Sequence, residues 1–431
     1  MHRFVPWTAA FALALGPTLA AQQPTFTEIT GHLQRGGEAL DRGDTAGYLE
    51  GSRAAWRLAP TSPIIGYHYA RALALTGADD SALALLSRLA LEGSVSVLEA
   101  PTDSAFGGLA GRPAFRPIAE RIERARRPVS HSATAFELAE RDLIPEGTAY
   151  DRRTRTLYLS SFYKRKILAV AADGTARDFT APGQDGLGPV AGMEVDPRRR
   201  ELWAVTIHLP DGPVPPDSSL IGAGVLHRYQ LASGRLLRRY VLPPAGDVRH
   251  GFNDLTILPN GDVYVTDSQG GAVYAVLAAR DTVVEVLPPG TYVFPNGITR
   301  NDDGTALFVA HGSGIDRLEP GTGRREPIAA PDSLNVSWVD GLAFYRNSLI
   351  AHQPSSFNRV VRVYLDKSQI RITRAEILER HHPRFVQPTT GELAGDRYYY
   401  IANAQLRRFR DGKIFPWDEL DPVLILSVDL R

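Results

Sequence analysis

The chain has 431 residues, of which 43% are apolar and 22% charged, a composition typical of a globular protein with two or three domains. Its 48 Lys and Arg residues balance its 48 Asp and Glu residues, so charge gives no reason to expect a nucleic acid or an anionic membrane as partner. Cysteine is absent, which excludes disulfides, thiol chemistry and a lipid anchor on cysteine.

The first residues predict an export signal. Arg3 precedes a mostly apolar run from Phe4 to Leu19, and Thr18-Leu19-Ala20 resembles a small-residue cleavage site. We expect residues 1–21 to be a signal peptide and the mature chain to be periplasmic or secreted from a bacterium, although a buried helix would also explain the apolar run. No later segment has the ~20 consecutive apolar residues of a membrane span, so we expect no transmembrane segment in the mature chain.

Residues 22–128 predict a small helical domain. Two segments each read as helix, glycine-containing turn and helix, and Gly43 aligns with Gly77 when they are superimposed. Such pairs, with Pro60 after the second helix, resemble degenerate tetratricopeptide repeats, and a plain helical bundle fits equally well. A repeat of this kind would offer a docking surface to a protein partner.

Residues 129–431 predict a mainly β domain, because short β-rich runs alternate with turns of Gly, Pro, Asn and Asp. One hairpin start recurs six times, as PEGTAYD from Pro145, VAGMEVD from Val190, FNDLTIL from Phe252, PNGITRN from Pro295, VDGLAFY from Val339 and TTGELAG from Thr389. Six units of about four strands, mostly ~40–50 residues apart, predict a six-bladed β-propeller. The early strand AFELAER and the terminal strand PVLILSVDL are expected to share a blade and close the ring.

Equivalent positions of successive blades form rings around the axis of a propeller. The predicted inner ring is Glu146, Ala191, Asn253, Asn296, Asp340 and Thr390. A second ring, slightly further out, is Ser161, Thr206, Asp267, His311, His352 and Asn403. Each hairpin therefore delivers a residue, usually a polar one, to the mouth of a central channel.

Four inner-ring residues carry oxygen donors suited to a hard cation, namely Glu146, Asn253, Asn296 and Asp340. Ca²⁺ takes ~6–8 oxygen ligands in irregular geometry, whereas Mg²⁺ demands a stricter octahedron and Zn²⁺ more nitrogen or sulfur. A single Asn or Asp would be ordinary turn chemistry. Four such residues at matched repeat positions predict one divalent cation, Ca²⁺ before others, at the channel mouth.

At these residues the sequence resembles the senescence-marker-protein, gluconolactonase and luciferin-regenerating-enzyme family of six-bladed propellers. The resemblance covers about residues 136–431 and rests on the order PEG, ND, NG and DG. It implies the same four residues as metal ligands, with Asp340 also acting as a base. The lactonases of the family carry an Arg two residues before the Asn of ND, where this chain has Gly251.

Together these features predict a metal-dependent hydrolase of a lactone or related ester, in which the metal polarises the carbonyl and Asp340 or Glu146 activates water. The alternative is a non-catalytic propeller that binds a ligand or protein, with a structural metal and a helical docking domain. The intact ligand set favours the enzyme, whereas the missing Arg and the added helices favour the alternative.

Five further residues are candidates for substrate binding, namely Arg249, His250, Asp267, His311 and His352. The histidines titrate near neutrality and could move protons. His311 and His352 belong to the outer ring and are expected to face the channel mouth. For each histidine, a hydrogen-bonded role in the core or a loop is the competing interpretation.

Overall fold

The computed structural model describes residues 26–208, 217–410 and 413–431, so the predicted signal peptide lies outside the described residues. Within them, five α-helices precede the strands: α1 (Phe26–Asp41), α2 (Thr45–Leu58), α3 (Pro63–Leu75), α4 (Asp79–Glu92) and α5 (Arg116–Ala125). Gly43 at φ 79° and Gly77 at φ 80° make the left-handed turns between α1 and α2 and between α3 and α4. The identity of the helix pairs α1-α2 and α3-α4 as tetratricopeptide repeats stays a prediction. None of the described helices is long and apolar enough to cross a membrane.

The described strands begin with β1 (Val129–Ser130) and β2 (Ala133–Leu138). Blade 1 follows with β3 (Thr148–Asp151), β4 (Thr156–Ser161), β5 (Lys166–Val170) and β6 (Ala176–Asp178), and blade 2 with β7 (Val190–Asp196), β8 (Glu201–Ile207), β9 (Gly224–Gln230) and β10 (Leu236–Leu242). Blade 3 has β11 (Phe252–Ile257), β12 (Val263–Asp267), β13 (Ala272–Leu277) and β14 (Thr282–Leu287), and blade 4 has β15 (Ile298–Arg300), β16 (Leu307–His311), β17 (Gly314–Leu318) and β18 (Arg325–Pro327).

Blade 5 has β19 (Leu342–Tyr345), β20 (Ser348–Gln353), β21 (Arg359–Leu365) and β22 (Ile372–Arg380). The last blade begins with β23 (Gly391–Ala394) and β24 (Arg397–Ile401); the short hairpin β25 (Phe409–Arg410) and β26 (Lys413–Ile414) precedes β27 (Val423–Asp429). Each blade is an antiparallel sheet of four or five strands, and these six sheets of the described residues, apart from the two-stranded β25-β26 sheet, confirm the six-bladed β-propeller. The fold is therefore mainly β, preceded by a few helices.

The ring closes with an early strand and the last strand of the β region. In blade 6 the order is β23-β24-β27-β2, so the early strand Ala133–Leu138 is the outermost strand beside β27. The closing pair predicted from AFELAER and PVLILSVDL is confirmed. β1 adds a fifth strand to the outside of blade 5, next to β22.

Apolar contacts between neighbouring blades form the core of the propeller. For example, Trp203 and Val205 of blade 2 pack with Phe252 and Val265 of blade 3, and Phe308 of blade 4 packs with residues of blade 5. Similar clusters lie between the other neighbouring blades. The innermost strands contact each other in succession and β23 contacts β3, so they surround a common axis.

The helices lie against the loops of blades 4 and 5. The Nδ2 of Asn335 donates to the backbone oxygen of Thr61 (2.9 Å) and to the carboxylate of Glu92 (3.0 Å). The backbone N–H of Val95 donates to the oxygen of Ser356 at 2.9 Å. This contact places the N-terminal turns of α1 and α3 beside the inner ring.

Candidate functional site at the channel mouth

Glycine follows the inner-ring residue in five of the six blades, as Gly147, Gly192, Gly297, Gly341 and Gly391. A Cβ at Gly341 would lie 2.6 Å from the Cα of Thr390 in the next blade, and one at Gly297 would lie 2.8 Å from the backbone nitrogen of Leu342. Such distances are too short for real Cβ atoms, so these glycines let the innermost strands approach closely. Blade 3 is the exception, because Asp254 occupies the corresponding position after Asn253.

Three of the four predicted ligands follow a left-handed residue two positions earlier. Ile144, Phe294 and Trp338 have φ values of 48°, 49° and 51°, and they precede Glu146, Asn296 and Asp340. A bulky residue in this region of the backbone costs of order 1–3 kcal/mol and is found at functional sites. Asn253 instead lies at a register shift in the pairing of β11 with β12, between Phe252 and Leu255. Such a shift is typical of a β-bulge.

The four predicted ligands differ in how they are bonded. The Nδ2 of Asn296 donates to Oδ1 of Asp340 at 2.9 Å, joining blades 4 and 5. The backbone of Glu146 bonds Ser160 and Thr389, but its carboxylate receives no hydrogen bond from the described residues. The carboxamide of Asn253 likewise has no hydrogen-bond partner among them. Both residues are over 90% buried.

Burial raises the pKa of both carboxyl groups of this set. The pKa of Glu146 lies well above its usual value because of burial, with repulsion from Asp340 and Asp254 adding to the shift. Burial likewise raises the pKa of Asp340 to about 7, although the hydrogen bond from Asn296 opposes the shift. The carboxylates therefore lie within electrostatic reach of each other in a site that disfavours their charged forms.

This donor set fits a hard cation. Buried carboxylates are stable when they are protonated or paired with positive charge, and the described residues supply no cationic partner for Glu146. Two carboxylates and two amides are oxygen donors of the kind that Ca²⁺ takes. Among the described residues no group of three His, Cys, Asp or Glu side chains is arranged as a metal site, and this set has only two such members.

Asp254 carries a further carboxylate into the channel. Its oxygens accept the backbone N–H groups of Leu255 (2.9 Å) and Ile298 (3.1 Å). Burial nevertheless raises its pKa to about 7, against these two bonds. Asp254 keeps some accessible surface because it lines the open space at the lower end of the channel.

Two cavities have inner-ring residues in their lining, Asn296 and Asp340 in one and Thr390 in the other. The lower one, of about 540 Å³, is lined by acidic groups that include Asp254, Glu194 and Glu392, together with Arg300. Burial raises the pKa of Glu194 to about 8 and that of Glu392 to about 7, and repulsion between the two carboxyls adds to the shift of Glu194.

The upper cavity, of about 340 Å³, lies between the propeller mouth and helices α1 and α3, and Asn296 and Asp340 line it. A third cavity, of about 900 Å³, lies further out between the helices and blade 4. That cavity is larger, but none of the four predicted ligands lines it, so the chemistry of the site favours the upper cavity as the ligand space.

The outer-ring side chains make hydrogen bonds near the ends of the second strands. Thr206 bonds the ring of His208 at 3.0 Å. Asn403 donates to the oxygen of Pro422 at 2.8 Å and accepts the N–H of Leu424 at 2.7 Å. These bonds hold loops and strand ends together, which is a structural role.

The predicted substrate-binding residues are not gathered at the mouth. Arg249 is exposed in a loop, and its guanidinium donates to the backbone oxygen of Gly246 at 2.9 Å. His250 and Asp267 are buried and bond each other at 2.7 Å. None of these three lines the upper cavity.

The side chains of the two outer-ring histidines do not line the upper cavity; both make hydrogen bonds, as in the competing interpretation of a core or loop role. His352 is fully buried and bonds the hydroxyl of Tyr398 at 2.9 Å. His311 lines the outer cavity of blade 4, where its Nε2 lies 3.2 Å from the carboxylate of Asp316. The ring of His311 turns into its own blade and that of His352 toward blade 6, because buried polar groups need partners, which strand position alone does not reveal.

Sequence reasoning did not identify three contributors to the site. Asp254 breaks the glycine pattern of the hairpin starts, a signal visible in the aligned repeats. Trp338 and Phe26 line the upper cavity, but neither belongs to the predicted rings. For Phe26 no sequence signal was available, because apolar residues on α1 would serve a helical core equally well.

Solved structures similar to the chain include a gluconolactonase from Xanthomonas campestris, at 17% identity and a TM-score of 0.45, over 69% of this chain and 87% of that one. Luciferin-regenerating enzyme matches at 13% identity and a TM-score of 0.47, over 70% and 96% of the two chains. A streptogramin B lyase matches at 16% identity and a TM-score of 0.46, over 69% and 96%.

Gluconolactonase and luciferin-regenerating enzyme are two of the protein kinds that the sequence resembles. The six-bladed fold is established by the strand topology, and likeness at 13–17% identity carries no argument about reaction, metal or ligand. No protein-family model and no curated protein matches the sequence.

Proposed function

We propose that the chain is a metal-dependent hydrolase of a lactone or related ester, with its reaction centre at the channel mouth. The observation that carries the proposal is that Glu146 and Asp340 repel each other electrostatically at the channel mouth and that Asn296 bonds Asp340, while the amide of Asn253 stands at the matched position of another blade. Two of these four residues line a cavity of about 340 Å³, a size at the small end of the range for small-molecule sites.

The cation in this proposal is Ca²⁺-like and would be held by Glu146, Asn253, Asn296 and Asp340. When bound, it would polarise the substrate carbonyl. The support is chemical: the donors are all oxygens, two of them are carboxylates, and the carboxylate of Glu146 is buried with no hydrogen-bond donor among the described residues.

Asp340 is the candidate base. Its Oδ1 is fixed by the hydrogen bond from Asn296, so its other oxygen can accept a proton from a water molecule. The water oxygen then bonds to the acyl carbon, the bond between that carbon and the alkyl oxygen breaks, and the proton passes to the leaving oxygen. A lactone and one water thus give one hydroxy acid.

Hydrolysis of a panel of lactones and esters, with and without a chelator, tests this proposal. We expect hydrolysis that the chelator abolishes and Ca²⁺ restores. Asp340→Asn should lower kcat at least about 100-fold, because general-base catalysis contributes roughly that much or more. Asp303→Asn is the matched control, since Asp303 is an exposed turn residue bonded to Thr305, and it should leave activity unchanged.

A protein that binds Ca²⁺ and hydrolyses none of the panel would support the alternative, a ligand-binding or protein-binding propeller with a structural metal. In that case the helices would be the docking surface for a protein partner. Export to the periplasm or medium is a further part of the proposal. It rests on the order of residues 1–21 alone, and N-terminal sequencing of exported protein that finds Met1 retained would contradict it.

A further inference from the structure

The upper cavity joins two parts of the chain that the sequence keeps far apart. Its floor includes Asn296 and Asp340, and its upper wall consists of α1 and the start of α3. A molecule reacting at Asp340 in this cavity would therefore also touch the helices.

The walls of this cavity are mostly apolar. From the helices come Phe26, Ile29, Leu33, Ile64 and Ile65. From the propeller come Phe294 and Trp338, whose ring centroids lie 5.0 and 6.0 Å from that of Phe26. The lining also includes polar residues, namely Thr30, Ser62, Ser355, Ser356 and Arg407. A ligand rich in hydroxyl groups would still leave those that face the apolar walls unpaired, at a cost for each buried group.

One polar group of the wall lacks a partner. The Nε1 of Trp338 is buried and has no hydrogen-bond acceptor among the described residues. An indole N–H normally finds a partner when it is buried, so a ligand oxygen that reached this nitrogen would supply the missing acceptor. Trp338 is also one of the left-handed residues, at φ 51°, and it lies two positions before Asp340.

We propose that the upper cavity is the substrate pocket and that it selects lactones or esters carrying an apolar chain over polyhydroxylated ones. The acyl group would lie near Asp340, an oxygen of the substrate would accept from Trp338, and the chain would contact α1 and α3. The substrate class rests on the proposed function, while the ligand preference of the cavity can be measured without catalysis.

The test uses the full chain and two matched series. The first is γ-lactones from γ-butyrolactone to γ-nonalactone, with glucono-δ-lactone for comparison, and the readout is kcat/KM. The second is the corresponding γ-lactams, which resist hydrolysis, and the readout is the calorimetric Kd. Both kcat/KM and lactam affinity should rise about fourfold per added methylene until the cavity is filled, and glucono-δ-lactone should be the poorest substrate.

Two variants test the helical wall and the propeller wall of the upper cavity separately. Leu33→Ser should reduce the gain per methylene, because it places a polar group on the apolar wall. Trp338→Phe should weaken lactams of every length by a similar factor of about 5–10, since it removes one hydrogen bond and keeps an aromatic ring. Gln34→Ala is the control, because Gln34 is exposed on α1 and does not line the cavity. Circular dichroism establishes that each variant is folded.

The outcomes distinguish the two proposals. Lactone hydrolysis without dependence on chain length, or with glucono-δ-lactone as the best substrate, overturns the pocket assignment and leaves the hydrolase. Chain-dependent lactam binding without hydrolysis of any lactone overturns the hydrolase and supports the pocket. A protein that neither binds the lactams nor hydrolyses the lactones contradicts both.

Discussion

The residue that follows each inner-ring position is glycine in five blades and Asp254 in blade 3. Where glycine follows the ring residue, the backbone of the next blade occupies the space that a Cβ would need. In blade 3 Asp254 stands in that position, and Gly192 of blade 2 accommodates it, since a Cβ there would lie 2.6 Å from Asp254. The lower cavity thereby gains a half-buried carboxylate.

Gly297→Ala tests the close approach of the inner strands. The added Cβ would meet backbone atoms of blade 5, among them the nitrogen of Leu342 at 2.8 Å, and backbone cannot move aside cheaply. We expect a loss of about 1–3 kcal/mol in the free energy of unfolding, measured by denaturant titration. Gly37→Ala on α1, which has open space around it, should be neutral or stabilising by about 0.5–1 kcal/mol. Equal effects of the two substitutions would contradict this account.

Glu194→Gln tests the cost of charge in the lower channel. The pKa of Glu194 is raised to about 8 in the folded protein, from 4.5, so the folded state binds more protons between these values. Stability should therefore fall as the pH rises from about 4.5 to about 8. Between pH 5 and pH 8 the thermal midpoint of the variant should fall by a few degrees less than that of the parent protein.

The matched control for this prediction is Glu50→Gln, which removes an exposed carboxylate on α2. Its midpoint should follow that of the parent protein at both pH values. Midpoints of the Glu194 variant that also follow the parent would show that the charged form is not penalised in the channel.

At the scale of elements, β2 is the strand that closes the propeller. It pairs with β27 along Ala133–Leu138, and without it β27 would be an unpaired edge. We expect a fragment of residues 129–431 to fold with a β-dominated circular dichroism spectrum. A fragment of residues 139–431 should unfold at a lower temperature and less cooperatively. Aggregation of the longer fragment would contradict independent folding of the propeller. Equal thermal midpoints of the two fragments would contradict the closing role of β2.

The elements themselves were largely predictable. The hairpin around Pro259–Asp262 forms as expected from its turn residues, with β11 and β12 on either side. Period-two runs and the six repeated starts predicted the blades, because each blade needs the same turn chemistry. Helix–turn–helix order was visible from glycine spacing, since Gly43 and Gly77 both take the left-handed conformation.

At the scale of the whole molecule, the six repeats predicted that the blades surround one axis but not what covers the channel mouth. That Glu146, Asn253, Asn296 and Asp340, from four blades, hold one cation stays a prediction, and the hydrogen bond from Asn296 to Asp340 agrees with it. The position of the helices over Phe294 and Trp338 depends on contacts between the helices and the propeller loops. Periodic sequence patterns predict single helices and strands but not contacts of this kind. For the same reason the sequence did not identify Tyr398 of blade 6 as the partner of His352.

The central claim is that these four residues bind one Ca²⁺-like ion, and calorimetric titration of Ca²⁺ tests it most directly. We expect the parent protein to bind one ion. Asp340→Ala should weaken binding more than Asn296→Ala, because it removes charge as well as an oxygen ligand. Asp303→Ala, in an exposed turn of blade 4, should bind like the parent. Asp340→Ala that binds Ca²⁺ as tightly as the parent protein would contradict the site and the mechanism built on it.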